Sequence, residues 1–214
     1  MRAFIAIELP KEIKGFLSGI QDNLKIELSK LLSSEILAHN TKTLASRIKM
    51  GNGHEGINWT KPQNLHLTLK FLGDISFEQL AQVKEIIAGI SKMPSRFKIK
   101  LDTLGVFPDA HAPRIIWIGA DQPPLELKEF EEILETRLSD SGIPLQRRHF
   151  CAHITIGRIR SCLSPSDLKK TLDKIENDII NASREFECGK VTLFESALGP
   201  SGPTYTALER FKIT

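Results

Sequence analysis

Two short stretches hold the pattern that decides the fold: residues 65–71 read Leu-His-Leu-Thr-Leu-Lys-Phe, and residues 153–159 read His-Ile-Thr-Ile-Gly-Arg-Ile. Polar and apolar side chains alternate in both, as is typical of a half-buried β-strand. Successive side chains of a strand point to opposite faces, so His66 and Thr68 share one face and the leucines share the other. Each stretch is therefore predicted to be a strand with a His-x-Thr pair on its polar face.

The elements around the two stretches follow the same order in each half of the chain: strand, helix, strand, helix, strand. Apolar residues three and four apart predict the helices, and Ser76 with Gln79 three residues on forms a capping box. Ser164 followed by Pro165 predicts the start of another helix. The predicted strands cover 4–9, 65–71 and 97–104, then 115–118, 153–159 and 185–194, with a last strand at 205–213; the predicted helices cover 11–32 and 125–138 and begin after Ser76 and Ser164.

This repeat of element order predicts two α+β lobes related by an approximate two-fold axis, within a single domain that spans residues 1–214. The two motif strands, near 65–71 and 153–159, are expected to face one another across a cleft. Residues from about 32 to 56 have no counterpart in the second half and are interpreted as an insertion. We expect this insertion to extend the first helix or to form another, and to end in a flexible loop rich in glycine.

Composition and charge limit the kinds of partner. The net charge of +3 is too small for sustained wrapping of nucleic acid, but it permits a local basic site for a small anion. No apolar run approaches the roughly 20 residues of a membrane span, so no membrane partner is expected. The odd count of three cysteines, with no paired spacing and no export signal, predicts reduced thiols and a cytoplasmic location. No element shows an unexplained second apolar face, and the expected state is a monomer.

Two histidines on facing strands suit the hydrolysis of a small cyclic phosphate. Water needs a base in order to attack and the departing sugar oxygen needs an acid; a histidine pKa of about 6.5 lets His66 and His153 supply one of each. The hydroxyls of Thr68 and Thr155 can donate hydrogen bonds to the non-bridging phosphate oxygens. One His-x-Thr on a strand is commonly a matter of chance, whereas two copies at matching places in a repeat favour catalysis. A metal site built on two histidines lacks a nearby carboxylate, so neither metal nor cofactor is predicted.

The residues beside the motifs leave their roles open. Strict alternation puts Arg158 on the apolar face, so the strand is assumed to end or bulge at Gly157. The guanidinium then either holds the phosphate or lies in solvent. By alternation, Lys70 lies on the same face of the strand as His66 and can reach solvent, while Phe71 lies on the same face as the core leucines. Phe4 either packs in the core or stacks on a base.

The two motifs resemble those of the two-histidine (2H) phosphoesterase superfamily. Within it, the chain resembles the bacterial and archaeal RNA 2′,3′-cyclic phosphodiesterases, also called 2′-5′ RNA ligase-like proteins. The resemblance covers most of the chain and is more specific than either His-x-Thr pair alone. It rests on an ordered set of stretches: 2–7, Trp59, Pro62, 64–73, 104–108, 113–117, 153–158 and 201–205. The segment near 32–56 departs from the family pattern by its length.

The resemblance implies a fold, a reaction and a set of site residues. The implied fold has two lobes with antiparallel sheets around a central groove and helices on the outside. The implied reaction opens a 2′,3′-cyclic phosphate on RNA or a nucleotide to a 2′-phosphate, without metal or nucleotide cofactor, and tRNA fragments are among the expected substrates. The family's usual roles make His66 the acid and His153 the base, although sequence alone leaves that order open. Phosphate binding is implied for Thr68, Thr155 and Arg158.

Two other functions stay open at this point. One is the reversible 2′-5′ ligation of tRNA halves in the same groove, which some members of the family perform and which a joined product would identify. The other is an RNA-end binding protein with little turnover, which would hold a cyclic-phosphate oligonucleotide without cleaving it.

Overall fold

The computed structural model describes residues 1–39, 56–92, 96–146, 149–160, 164–200 and 202–213; side chains are not described at 31–39, 177, 178, 180 and 181. The strands are β1 (Arg2–Glu8), β2 (Ile57–Trp59), β3 (His66–Asp74), β4 (Phe97–Leu101), β5 (Thr103–Phe107), β6 (Ile115–Gly119), β7 (His153–Ile159), β8 (Arg184–Cys188), β9 (Lys190–Gly199) and β10 (Gly202–Lys212). The helices are α1 (Lys11–His39), α2 (Phe77–Ile90), α3 (Leu125–Asp140) and α4 (Pro165–Asn181), and a 3₁₀ turn at Pro62–Asn64 precedes β3.

The motif strands lie at the centre of one antiparallel sheet. Its order is β10-β9-β1-β3-β7-β6-β5, and β2 adds to β7. The register between β3 and β7 contains one pair, Leu67 with Ile154, because β7 pairs with β2 farther along. The predicted α+β class with antiparallel strands is confirmed. The two motif strands are neighbours in this sheet and are joined by that single pair.

Each half of the chain contributes strands to the part of the sheet formed by the other half. β5 pairs with β6, and β9 pairs with β1, so both cross the centre of the molecule. β4 and β8 pair with each other in a separate two-stranded sheet. The single strands predicted at 97–104 and 185–194 were therefore wrong: the chain leaves the small sheet at Asp102 and at Gly189 and enters the large one.

The helices cover the apolar side of the sheet. α1 packs against α4, and α2 packs against α3, so each helix pair joins the two halves. The capping box predicted for α2 is confirmed, since the Gln79 N–H donates to Ser76 Oγ at 3.1 Å and the Ser76 N–H donates to Gln79 Oε1 at 3.0 Å. Beyond the cap, the buried residues of α2 follow the helical spacing: Val83, Ile87 and Ile90.

Helix α1 extends into the segment interpreted as an insertion, which is one of the two outcomes expected there. It continues past residue 32 to His39 and so takes up the start of the segment interpreted as an insertion. The rest of that segment up to residue 55, with its expected glycine-rich loop, lies outside the described residues.

Within the described ranges, none of the helices is long and apolar enough to cross a membrane.

Candidate functional site

The single pair that joins β3 to β7 brings the four motif side chains together. His66 and Thr68 flank Leu67 on β3, as Thr155 and His153 flank Ile154 on β7, so the four motif residues surround the one pair that joins the two strands. Directly opposite residues point to the same face of a sheet, so all four side chains share one face. They are half-buried there, whereas the residues between them on the other face are fully buried in the core. The sheet therefore presents a compact patch of two imidazoles and two hydroxyls.

Both histidine rings are held by the same kind of hydrogen bond, between Nδ1 and a backbone carbonyl oxygen. His66 Nδ1 lies 2.7 Å from the carbonyl oxygen of Asn64, and His153 Nδ1 lies 2.8 Å from the carbonyl oxygen of Cys151. A carbonyl oxygen can only accept, so Nδ1 carries the hydrogen in each ring. The Nε2 atom of each neutral ring then has a free lone pair, which is the arrangement that a general base requires.

Aromatic rings enclose both imidazoles. The ring of Phe4 lies 4.9 Å from that of His66, and Tyr205 meets the same imidazole edge-on at 5.2 Å. Phe107 meets the ring of His153 edge-on at 5.0 Å. Phe4 itself is buried, so the core-packing interpretation of this residue is confirmed, and its ring packs directly against the candidate catalytic group.

Burial lowers the pKa of both histidines. For His66 the pKa falls from 6.5 to about 4, with burial as the largest cause. The positive charges of Lys14 and Arg158 lower the His66 pKa further, while the hydrogen bond to Asn64 opposes the change. Burial lowers the pKa of His153 as well, and the charge of Arg158 adds to this effect. At neutral pH both rings of the ligand-free protein are therefore uncharged.

A β-bulge reverses the parity of β3 after its motif. Consecutive residues of β1 pair with Thr68 and Lys70, so Leu69 is an extra residue in β3. Lys70 consequently turns into the core and is 1% exposed, whereas Phe71 turns out beside Phe4 and is 61% exposed. The expectations that Lys70 can reach solvent and that Phe71 belongs to the core leucines were both wrong, because strict alternation does not survive a bulge.

The buried Lys70 is paired behind the motif strand. Its Nζ atom donates to Glu135 Oε2 at 2.7 Å and to the carbonyl oxygen of Pro144 at 2.7 Å. The same carboxylate oxygen accepts the backbone N–H of Gln146 at 3.2 Å, and the side-chain amide of Gln146 donates to the carbonyl oxygen of Leu69 at 3.0 Å. This network fixes the segment after α3 against the bulge of β3.

A second bulge lies at the matching place in β7. Consecutive residues of β6 pair with Thr155 and Gly157, which leaves Ile156 as the extra residue. Arg158 is therefore returned to the face of the motif, and the bulge lies one residue earlier than the assumed position at Gly157. In addition to burial, the positive charge of Arg158 lowers the pKa of both motif histidines.

Close backbone contact fixes the start of β7. A Cβ atom added to Gly119 would lie 2.2 Å from the carbonyl oxygen of Ala152, directly before His153. That oxygen accepts the backbone N–H of Ala120 at 3.1 Å. Only glycine allows β6 to approach this closely, and the position of His153 depends on the approach.

The sequence interpretation did not select two residues that lie beside the site. Lys14 is on α1, where its local pattern matches that of any surface lysine of an amphipathic helix, so only the tertiary fold brings it near His66. Tyr205 lies in β10, among the stretches that carried the family resemblance, but nothing in its position gave it a role. In the part of the chain that the structure describes, no three His, Cys, Asp or Glu side chains cluster so as to hold a metal.

Comparison with known proteins finds one matching family and several similar relatives. The family model for LigT like Phosphoesterase matches the chain twice in succession, at residues 32–117 and 118–205. An RNA 2′,3′-cyclic phosphodiesterase of Aquifex aeolicus is 37% identical over 159 residues, which are 72% of this chain and 80% of that protein. A protein of the same name from Methanocaldococcus jannaschii is 30% identical over 211 residues, which are 99% of this chain and 100% of that protein.

Solved structures share the fold. The protein TT0787 of Thermus thermophilus superposes with a TM-score of 0.70 at 23% identity, over 100% of this chain and 98% of that one. Escherichia coli LigT, crystallised with 3′-AMP, gives a TM-score of 0.65 at 24% identity, with 100% and 98% of the two chains covered. The two matches to the family model take in most of the sequence and include both His-x-Thr strands. The chain belongs to the LigT-like phosphoesterase family.

Proposed function

We propose that this chain hydrolyses RNA 2′,3′-cyclic phosphate ends to 2′-phosphomonoesters, with His66 and His153 as the acid–base pair. The observation that carries the proposal is the junction of β3 and β7, where both imidazoles share a face and keep Nε2 available. The relatives from Aquifex aeolicus and Methanocaldococcus jannaschii, named for this activity, support the choice of substrate.

Hydrolysis needs one proton to be taken up and one to be delivered. His153 Nε2 accepts a proton from water as the water oxygen attacks phosphorus. The bond between phosphorus and the 3′ oxygen breaks, and His66 Nε2 donates its proton to that oxygen. The product is a 2′-phosphate with a free 3′ hydroxyl. His153 is left protonated and His66 neutral, and exchange with solvent restores the starting state.

The negative charge that develops on the phosphate oxygens needs hydrogen-bond donors on the same face of the sheet as the two histidines. The hydroxyls of Thr68 and Thr155 donate to the two non-bridging oxygens, and the guanidinium of Arg158 gives a fixed pair of N–H groups to the same anion. The bulge at Ile156, which returns Arg158 to the face of the motif, supports its assignment to phosphate binding rather than to solvent.

The proton on His66 must arrive with the substrate. Because burial and nearby cations hold the pKa of His66 at about 4, the free protein carries almost no acid at neutral pH. A bound phosphate brings a negative charge beside the imidazole, and an opposite charge raises the pKa of a histidine. The acid role of His66 therefore depends on binding, while His153 starts neutral and ready to act as the base.

The test is a metal-free incubation with nucleoside 2′,3′-cyclic phosphate in excess EDTA, with the products separated by phosphorus NMR. We expect only the 2′-phosphate. His66→Ala and His153→Ala should each lower kcat by about 10²–10⁴-fold, which is the usual contribution of one acid or base. The exposed His111, whose backbone N–H contacts Asp109, provides the matched control His111→Ala, which should keep full activity. Normal turnover in either motif variant, or a requirement for added metal, contradicts the mechanism.

Incubations with tRNA halves and with a cyclic-phosphate oligonucleotide separate the other functions. A joined product from tRNA halves would favour 2′-5′ ligation over hydrolysis as the principal reaction. Tight binding of an oligonucleotide that stays uncleaved would favour an RNA-end binding protein. We propose tRNA fragments as natural substrates, and turnover of such fragments against mononucleotides measures that preference.

We further propose that residues 1–214 form one domain and act as a monomer in the cytoplasm. The exchange of β5 and β9 between the halves supports a single folding unit, because neither half-sheet is complete alone. The free thiols of Cys151 and Cys188 fit a reducing compartment. One unfolding transition, the mass in solution by light scattering and cell fractionation test the three statements.

A further inference from the structure

Each motif strand carries a bulge three residues after its histidine. In β3 the extra residue is Leu69, and in β7 it is Ile156. A bulge leaves backbone groups out of register with the neighbouring strand, and these groups need other partners when they are buried. The group that hydrogen-bonds to each bulge therefore determines which of the next two side chains faces the site.

A glutamine amide from the other half of the chain meets each bulge. Gln21 on α1 donates through Nε2 to the carbonyl oxygen of Ile156 at 2.7 Å and to that of Thr60, just after β2, at 2.8 Å. Gln146, in the second half, donates to the carbonyl oxygen of Leu69 at 3.0 Å. The pattern is the same in both halves, and it is reciprocal: the first half holds the second bulge, and the second half holds the first.

The two glutamines differ in how easily water can replace them. Gln21 is 3% exposed, and both hydrogens of its amide are used on the two carbonyl groups. Gln146 is an exposed residue, so a water molecule can take over its hydrogen bond. The Ile156 carbonyl oxygen also accepts the backbone N–H of Thr60 at 2.9 Å, so Gln21 is a second, buried donor at the point where β7 meets the chain after β2.

We propose that Gln21 is a positioning residue for Arg158. Together with the backbone N–H of Thr60, which donates to the Ile156 carbonyl oxygen, the Gln21 amide keeps β7 bulged and joined to the end of β2, and Arg158 is thereby held on the face of the motif. The inference rests on the proposed function only in the assignment of Arg158 to phosphate. No contact between Gln21 and substrate is involved.

The test is a double-mutant cycle read by ligand binding. Wild type, Gln21→Met, Arg158→Ala and the double variant are titrated with nucleoside 2′-monophosphate by calorimetry. Methionine matches the size of glutamine but offers no hydrogen to either carbonyl group. We expect Gln21→Met to raise the Kd by about tenfold. That is the order of the loss of one charge-assisted hydrogen bond, here the one between Arg158 and the phosphate. In the Arg158→Ala background the same change should leave Kd unaltered.

A control separates lost positioning from lost stability. Thr171 on α4 is 3% exposed, and its hydroxyl donates to the carbonyl oxygen of Asp167 at 2.9 Å, a hydrogen bond within the helix that involves neither motif strand. Thr171→Val removes one buried hydrogen bond and should leave Kd unchanged. Equal weakening by Gln21→Met with and without the arginine, or no weakening at all, overturns the proposal.

Two further outcomes are decisive. If neither Gln21→Met nor the volume-matched Gln21→Leu folds, Gln21 is a requirement of the core and the positioning role is rejected. If wild type binds the monophosphate but turns over no cyclic phosphate, the proposed reaction fails, while the binding cycle still decides the role of Gln21.

Discussion

Lowering the pH should destabilise this protein through one identifiable ring. The folded protein holds the pKa of His66 at about 4, whereas the unfolded chain has the ordinary value of 6.5. Between these values the unfolded state binds a proton at His66 that the folded state does not. Unfolding then takes up protons, so stability rises with pH across this window. The contribution is fully present above pH 6.5 and is lost as the pH falls toward 4.

The size of the effect follows from the two pKa values. A fall from 6.5 to about 4 corresponds to roughly 3 kcal/mol in favour of the neutral ring, at about 1.4 kcal/mol for each pH unit. His66→Phe cannot titrate and keeps an aromatic ring against Phe4 and Tyr205. All other titrating groups are common to the two proteins. The difference in free energy of unfolding between them should therefore change by about 3 kcal/mol between pH 7.5 and pH 4.

Two measurements check this reasoning. Urea unfolding of wild type and His66→Phe at a series of pH values gives the difference in free energy of unfolding. Proton–carbon NMR of the imidazole gives the pKa directly, which should lie near 4 in the free protein and rise when nucleoside 2′-monophosphate is bound. Titration of His66 near 6.5, or a difference that does not vary with pH, would refute the account of burial as the controlling cause.

Three other features give independent predictions. Lys70→Met leaves the Glu135 carboxylate buried without its cation and should lower the free energy of unfolding in urea by about 3–5 kcal/mol. The double variant Lys70→Met/Glu135→Leu should recover most of this stability. Equal losses of stability in the single and double variants would contradict the pairing. Gly119→Ala forces a methyl group against the carbonyl oxygen of Ala152, so calorimetry should show about 1–3 kcal/mol of lost stability together with reduced turnover. Burial raises the pKa of the Cys188 thiol to about 12, so iodoacetamide should label it only upon unfolding, and rapid labelling at pH 8 argues against this burial.

The sequence was sufficient wherever a local rule determined the outcome. Alternation predicted the motif strands, helical spacing predicted the helices, and the Ser76 capping box began α2 where expected. Each of these features depends on residues a few positions apart, and no distant contact overrides them. The pairing of His66 with His153 was inferred from the repeat of element order, which is also a property of the chain alone.

The sequence was insufficient wherever a distant partner decides the local geometry. The parity of Lys70 and Phe71 is set by a bulge at Leu69. That bulge is supported by Gln146, which lies 77 residues away in the chain. Nothing within the stretch 65–71 signals an extra residue, because Leu69 continues the alternation. Gln21 escaped notice for the same reason: a single polar residue on an amphipathic helix gives no sign that it reaches a strand in the other half.

The exchange of strands between the halves has a consequence for synthesis. β1 cannot complete its pairing until β9 exists, and Ala3 and Glu195, which pair there, are separated by nearly the whole chain. At about 5–20 residues per second, a ribosome needs on the order of 10–40 s to cover that distance. During this interval one edge of β1 is an open template for other nascent chains. Rapid translation of the second half of the messenger shortens this exposure. A chaperone that covers the first half of the nascent chain has the same effect.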